Sequence, residues 1–212
     1  SKSNYVGPFE VKIFWMTHSI PQSNAIFLKT EKGNILHSGD WKIDPNPLVG
    51  EPISKNKFKE FVDDHVDLMI CDSTNVFNLE PSGSEGDVRE NLNKLFMKKK
   101  KGKIIITCFA SNIARIQSIL KVSSESEKCC VLLGRSLHRI YESAKENNFL
   151  DEFTNIISEK QAKLVPDENL VIICTGSQGE KRAALSRLVN DENRSFTLNK
   201  NDTVIFSSRE IS

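Results

Sequence analysis

A histidine in Thr17-His18-Ser19 and an aspartate closing Ser38-Gly39-Asp40 each follow an apolar run of strand-like texture. An imidazole and a carboxylate carried to the ends of neighbouring strands can share a metal, the ring giving a nitrogen donor and the carboxylate able to bridge two cations. On spacing alone the same two residues are more often a hydrogen-bonded core histidine and a turn former, so both readings stay open. His37 lies beside the second loop, but strand alternation turns its ring away from the Asp40 side. His65 and His138 fall in a polar helical stretch and at a helix start, and carry no chemistry here.

A second group consists of small polar tracts that each follow an apolar run: Asp72-Ser73-Thr74-Asn75, Ala110-Ser111-Asn112, Gly134-Arg135-Ser136, Thr175-Gly176-Ser177-Gln178-Gly179 and Ser207-Ser208. If the runs are parallel strands, the tracts sit at their carboxyl ends, where such sheets bind ligands. Amides at helix starts, hydroxyls and one guanidinium gathered on one rim suit a phosphate or phosphodiester. Singly, each tract reads better as an ordinary helix cap; only the five together bring an anion site level with that reading. No Walker-type run and no G-x-G-x-x-G fingerprint occurs, which disfavours nucleotide binding by either device.

The elements that position these groups have two textures. From Phe9 to Asp40 the pattern is strands and turns: Val11 to Met16, Ala25 to Leu28, and a third strand opening at Asn34 to Leu36. Glu31-Lys32-Gly33-Asn34 predicts a hairpin turn. Asp44-Pro45-Asn46-Pro47 breaks regular structure, and Val49 to Asn56 reads as loop. From Val66 onward strands alternate with helices. The strands are Asp67 to Cys71, Lys103 to Cys108, Cys130 to Leu133, Leu170 to Cys174 and Thr203 to Phe206, short unbroken apolar runs suited to a sheet covered on both faces. Helices are expected with Ser84 as cap ahead of Val88, Leu92, Leu95 and Phe96, and with Ser111 as cap ahead of Ile113, Ile116 and Leu120. Two more are expected through Leu137, Ile140, Tyr141 and Ala144, and through Ala184, Leu185 and Leu188. The class is α/β with a mainly parallel sheet. Lys98 to Lys101, with Lys103, reads as a solvated basic cap at a helix end, a polyanion landing site being the minority reading.

The 212 residues carry 29 basic and 28 acidic side chains, a formal charge of +1, which removes any whole-chain electrostatic argument for nucleic-acid binding. With 38% hydrophobic and 27% charged residues the composition is globular. No apolar run approaches a membrane span, and Ser1 to Phe9 lacks the build of a signal peptide. Five cysteines with no C-x-x-C pair, placed at the ends of apolar runs, suggest buried thiols in a reducing compartment.

Taken in order, Thr17-His18-Ser19-Ile20-Pro21, His37-Ser38-Gly39-Asp40-Trp41-Lys42-Ile43-Asp44 and Cys71-Asp72-Ser73-Thr74-Asn75 resemble ribonuclease J, of the β-CASP branch of the metallo-β-lactamase superfamily. So do Phe109-Ala110-Ser111-Asn112 with Arg115-Ile116-Gln117, Gly134-Arg135-Ser136, Thr175-Gly176-Ser177-Gln178-Gly179-Glu180 and Asp202-Thr203-Val204-Ile205, so the resemblance runs over nearly the whole chain. It departs at Gln22, where an acidic residue is common, and at Trp41, where Phe is usual.

The resemblance implies part of a metallo-β-lactamase αββα sandwich over residues 1–77 and a β-CASP domain over 78–212. It implies a dinuclear, zinc-dependent ribonuclease in the cytoplasm, acting on single-stranded RNA from a 5′-monophosphate end and also internally. His18 and Asp40 would be metal ligands, Asp40 bridging both ions, and Asp72 an acidic residue beside the active site. Ser111, Asn112, Arg135, Ser136 and Ser177 would line the RNA side. The family's His-x-His-x-Asp-His box has no counterpart here, and its later histidines would fall beyond Ser212, so the chain is expected to be an internal segment of a longer enzyme. Alone it is expected to be silent and to bind zinc weakly, and to be monomeric or weakly associated where the full-length enzyme forms homo-oligomers. The rivals are a small-molecule hydrolase of the same superfamily, and a non-catalytic RNA-binding or assembly module.

Overall fold

The computed structural model describes residues 4–62, 65–99 and 101–209. The chain divides into two compact units, Ser1–Gly86 and Asp87–Ser212.

The first unit is a five-stranded sheet with one helix against it. Strands β1 (Asn4–Val6), β2 (Phe9–Met16), β3 (Ser23–Thr30) and β4 (Gly33–His37) form an antiparallel meander, and β5 (Leu68–Ile70) joins β4 in parallel. The strand over 67–71, expected in the parallel sheet, thus belongs to this one. Alternation along β2 turns Phe14 and Met16 to the face where Ala25, Phe27 and Leu36 also lie. Helix α1 (Lys55–Phe61) covers that face, with Phe14 meeting Phe58 edge-on at 5.3 Å between ring centroids. The loop expected over 49–56 holds to residue 54 and gives way only at its last two residues to this helix, capped by the Ser54 hydroxyl accepting from Lys57 N–H at 3.3 Å. Its sequence, Lys-Asn-Lys-Phe-Lys-Glu-Phe, is too polar and too short to show an apolar stripe.

The opposite face of the sheet is also apolar. Register aligns Val11, Leu28, Ile35 and Leu68 in one cross-strand row, and Ile13, Ile26, His37 and Ile70 in the next. Ile13, Ile26, Leu68 and Ile70 are 49, 40, 51 and 46% exposed. Cys71 is exposed as well, against the expectation of a buried thiol.

The second unit is a parallel sheet, in order β7-β8-β6-β9, built from β6 (Ile104–Thr107), β7 (Cys129–Leu133), β8 (Leu170–Cys174) and β9 (Thr203–Phe206). Its helices are α2 (Glu85–Lys98), which begins in the first unit's last residues, α3 (Ile113–Glu125), α4 (Arg135–Glu146), α5 (Glu159–Ala162) and α6 (Ala184–Val189). β6 and β8 are buried at every position, as covering on both faces requires. One face packs Ile105, Val131, Leu133 and Ile172 against α5, α6 and Phe196; α3 lies on β7 and β8, buried from Ile113 to Leu120. Burial pushes the Cys130 and Cys174 thiols up to about 12, so both are packing groups and not nucleophiles.

Three local expectations change. The cap of α3 is Asn112, whose Oδ1 accepts from Arg115 N–H at 3.0 Å, and not Ser111. Leu95, read as part of the buried stripe of α2, is 46% exposed while Leu92 and Phe96 are buried. Lys103 is no solvated cap: it is 4% exposed, with Nζ 3.0 Å from Asp167 and 3.1 Å from Asp202. Lys100, in the same basic run, lies outside the described residues. Among the described residues no helix is long and apolar enough to cross a membrane.

Candidate functional site

The loops bearing His18, Asp40 and Asp72 leave one end of the first sheet. β2 ends at Met16 opposite Ser23, where β3 begins; β4 and the parallel β5 end at His37 and Ile70, paired with each other. The main chain stitches the loops together. Lys42 N–H donates to Thr17 O at 2.8 Å, and the Thr17 hydroxyl donates back to Lys42 O. Ser38 N–H donates to Ile70 O at 2.9 Å, and Asp72 N–H to the Ser38 hydroxyl at 3.1 Å. The neighbour of His18 is thus bonded to the Asp40 loop, and that loop to Asp72. Gly39 makes the turn at φ +60°; a Cβ there would come within 2.6 Å of Asn24 O.

His18 is half-buried, with Nδ1 3.3 Å from the Ser19 hydroxyl. Asp40 is exposed, and its carbonyl accepts from the Ser23 hydroxyl at 2.7 Å. Asp72 is half-buried and held in one orientation, its Oδ1 accepting from the Thr74 hydroxyl at 2.6 Å and from Thr74 N–H at 2.9 Å. The Thr74 hydroxyl and then its N–H hold the Asp72 carboxyl below the usual carboxylate range, against the effect of burial; His18 and the Trp41 N–H act in the same direction. Thr74 was missed as a partner in the sequence, although Asp-x-Thr is a recognisable Asx-turn pattern.

An imidazole nitrogen and carboxylate oxygens are the donors zinc takes. In kind the residues fit a metal; in number they fall short of the three protein ligands that a catalytic zinc ion requires. Among the described residues no three or more His, Cys, Asp or Glu side chains form a group that could hold an ion.

The Asp72 tract belongs to the first sheet, so four tracts, not five, lie at the carboxyl ends of the parallel sheet. Asn112 is buried and committed to its cap. Ser111 is half-buried, and its carbonyl accepts from Ile113 N–H at 3.0 Å. Arg135 and Ser136 are exposed in the first turn of α4, whose cap position, Gly134, supplies no side-chain hydrogen bond. The Ser177 hydroxyl is buried and finds no hydrogen-bond partner among the described residues. Two residues of these motifs do work that the sequence did not assign. Arg115, 9% exposed, donates from Nη1 to the Ser207 carbonyl and, at 2.8 Å, to its hydroxyl. Gln178 donates to Arg209 O at 2.8 Å. Together they tie the tracts after β8 and β9 into the rim. An arginine flanked by Ala114 and Ile116 in the helix's first turn was the available signal.

Comparison with known proteins places this arrangement. Residues 101–212 match the family model described as "Ribonuclease J, beta-CASP domain". Ribonuclease J of Mycolicibacterium smegmatis is 38% identical over 208 residues, covering 98% of this chain and 37% of that protein. Ribonuclease J of Sinorhizobium meliloti is 36% identical over 206 residues (97% and 36%), and that of Helicobacter pylori 31% identical over 207 residues (97% and 30%). The chain thus spans about a third of the length of these relatives. A crystal structure of a protein of unknown function from Enterococcus faecalis V583 has the same fold over 81% of this chain and 43% of its own, with a TM-score of 0.55 at 14% identity. With more than half of its length matched by that family's model, the chain belongs to the ribonuclease J family.

Proposed function

We propose that this chain is a segment of a metal-dependent ribonuclease that hydrolyses phosphodiester bonds in single-stranded RNA, from a 5′-monophosphate end and internally, in the cytoplasm. The observation that carries the reading is the family match, combined with the convergence of the His18, Asp40 and Asp72 loops at one end of one sheet. His18 and Asp40 serve as ligands of a zinc pair, Asp40 bridging the two ions, and Asp72 acts beside them. The remaining donors come from polypeptide outside this chain.

The apolar second face of the first sheet supports the same reading. An antiparallel sheet with one face in water alternates cleanly between apolar and polar residues, whereas this one is apolar on both faces, as the inner sheet of a two-sheet sandwich is. The first unit is on this account one half of the metallo-β-lactamase αββα sandwich. The indole N–H of Trp41, packed against the helix-covered core, is buried without an acceptor among the described residues. In the parallel sheet, the unpartnered Ser177 hydroxyl and the exposed first turn of α4, with Arg135 and Ser136, suit an RNA phosphate, and Ser111 flanks them. Asn112 contributes through its cap. The full-length enzyme forms homo-oligomers.

The test compares the 212-residue chain with the longer protein, each given zinc and a single-stranded RNA bearing either a 5′-monophosphate or a 5′-hydroxyl. The longer protein should cleave, prefer the monophosphate and lose activity with Asp40→Asn; the chain alone should not cleave. Zinc-dependent cleavage by the chain alone, abolished by His18→Ala, would overturn the shared-site reading. A longer protein that binds RNA without cutting it would point instead to a non-catalytic module.

A further inference from the structure

Three buried hydroxyls donate to carbonyls of the one loop that carries Asp40, two from other segments and one from the loop's own first residue. Thr17, just past β2, donates to Lys42 O. Ser23, the first residue of β3, donates to Asp40 O at 2.7 Å. Ser38, just past β4, donates to Gly39 O at 2.7 Å and also accepts from Asp72 N–H. The three residues are 3, 8 and 5% exposed, while Asp40 itself is exposed. Burying a hydroxyl carries a desolvation cost that valine or alanine would avoid, so three on one short loop mark a place where hydrogen bonding outweighs apolar packing.

We propose that Thr17, Ser23 and Ser38 are positioning residues: a collar of hydroxyls that fixes the main chain of residues 39–42, so that the Asp40 carboxylate is already in place before any ligand arrives. The inference rests on the assignment of Asp40 to the active site and deepens it. A loop held only by its own turn samples several conformations. Here the Asp40 and Lys42 carbonyls are claimed from two other segments, Ser38 braces Gly39 from within, and Gly39 is the residue whose missing Cβ lets the loop pass Asn24 O. Ser38 does double duty, since its hydroxyl links the Asp40 loop to the Asp72 main chain and so sets the spacing between the two carboxylate-bearing segments. None of the three touches substrate in this scheme. Their effect passes through the geometry of Asp40, and reacting groups tolerate little displacement.

The experiment uses the longer, active protein carrying Thr17→Val, Thr17→Ser or Ser23→Ala, with Asp40→Asn as reference. In metal-free protein, amide hydrogen exchange over residues 38–42 should quicken about tenfold in Thr17→Val and Ser23→Ala, with the parallel sheet unchanged. In the metal-loaded enzyme kcat should fall about 10- to 100-fold. KM should stay within about twofold. Thr17→Ser, which keeps the hydroxyl, should restore both readouts. If Ser23→Ala fails to fold, Thr17→Val carries the same test, because it preserves shape and removes only the donor. Wild-type exchange over 38–42, or wild-type kcat in the folded variants whatever their melting temperature, would overturn the proposal. Full activity in Asp40→Asn would instead sink the assignment of Asp40 on which it rests.

Discussion

Lys103 shows how far one side chain can depart from its composition class. It ends a run of lysines, yet its ammonium is buried between Asp167 and Asp202, and Asp202 also accepts from Lys103 N–H at 2.8 Å. Removing one partner of a buried pair leaves the other charge unpaired, so Lys103→Met should destabilise the second unit by about 3–5 kcal/mol, measured by urea unfolding. Replacing an exposed lysine of the same run, Lys98→Met, should change stability by less than about 0.5 kcal/mol. His18, Asp40 and Asp72 were assigned to a site in the sequence only through the family resemblance of their neighbours, and the structure brings their loops to one end of one sheet. Thr17, Ser23, Ser38 and Thr74 were not, because a hydroxyl that braces a loop looks the same in sequence as one that faces water. Asn112 displaced Ser111 as a cap for a related reason: two adjacent residues have the right chemistry, and only main-chain geometry chooses between them.

At the scale of elements, the last residues of the first unit, Ser84 and Glu85, are held by the loop that follows Asp40. Asp44, 3% exposed, accepts from Glu85 N–H at 3.0 Å and from Asn46 N–H at 2.9 Å, and the Ser84 hydroxyl donates to Asn46 O at 2.9 Å. Burial pushes the Asp44 carboxyl up, but the Glu85, Ser84 and Asn46 hydrogen bonds and the Lys42 cation outweigh it and hold it below the usual carboxylate range. A depressed carboxyl stabilises the fold above its unfolded pKa of about 4, and that contribution is lost as pH falls below it. Asp44→Ala should therefore cost about 1–2 kcal/mol at pH 7, with the difference from wild type shrinking as unfolding is followed toward pH 3. A constant difference across that range would contradict the assignment. The parallel strands were legible because β-branched apolar runs of four or five residues leave few alternatives. Helix α5 was missed despite Ser158 and Gln161 forming a capping box, since four residues offer no periodicity to detect. The strand over 67–71 looked like the parallel strands that follow it, and only pairing revealed its place beside β4.

For the whole molecule the informative feature is a sheet with apolar residues on both faces and a helix on one. Exposed apolar surface of this extent marks an interaction site or an aggregation liability. The 212-residue chain should bind a hydrophobic dye and self-associate as concentration rises, and the double substitution Ile13→Thr with Ile26→Thr should suppress both effects; analytical ultracentrifugation reads the outcome. A monomer at every concentration, with no dye binding, would argue that this face needs no cover. Sequence patterning disclosed the two textures and the family, but not that the first sheet carries a second, exposed apolar face, because alternation cannot say whether such a face meets water or another sheet.

The most direct measurement is a crystal structure of the longer protein with zinc, its ions located by anomalous scattering. The account predicts zinc with a His18 nitrogen and an Asp40 oxygen at about 2.0–2.2 Å, the other donors supplied from outside residues 1–212. Ions held elsewhere, with His18 and Asp40 both unliganded, would contradict it.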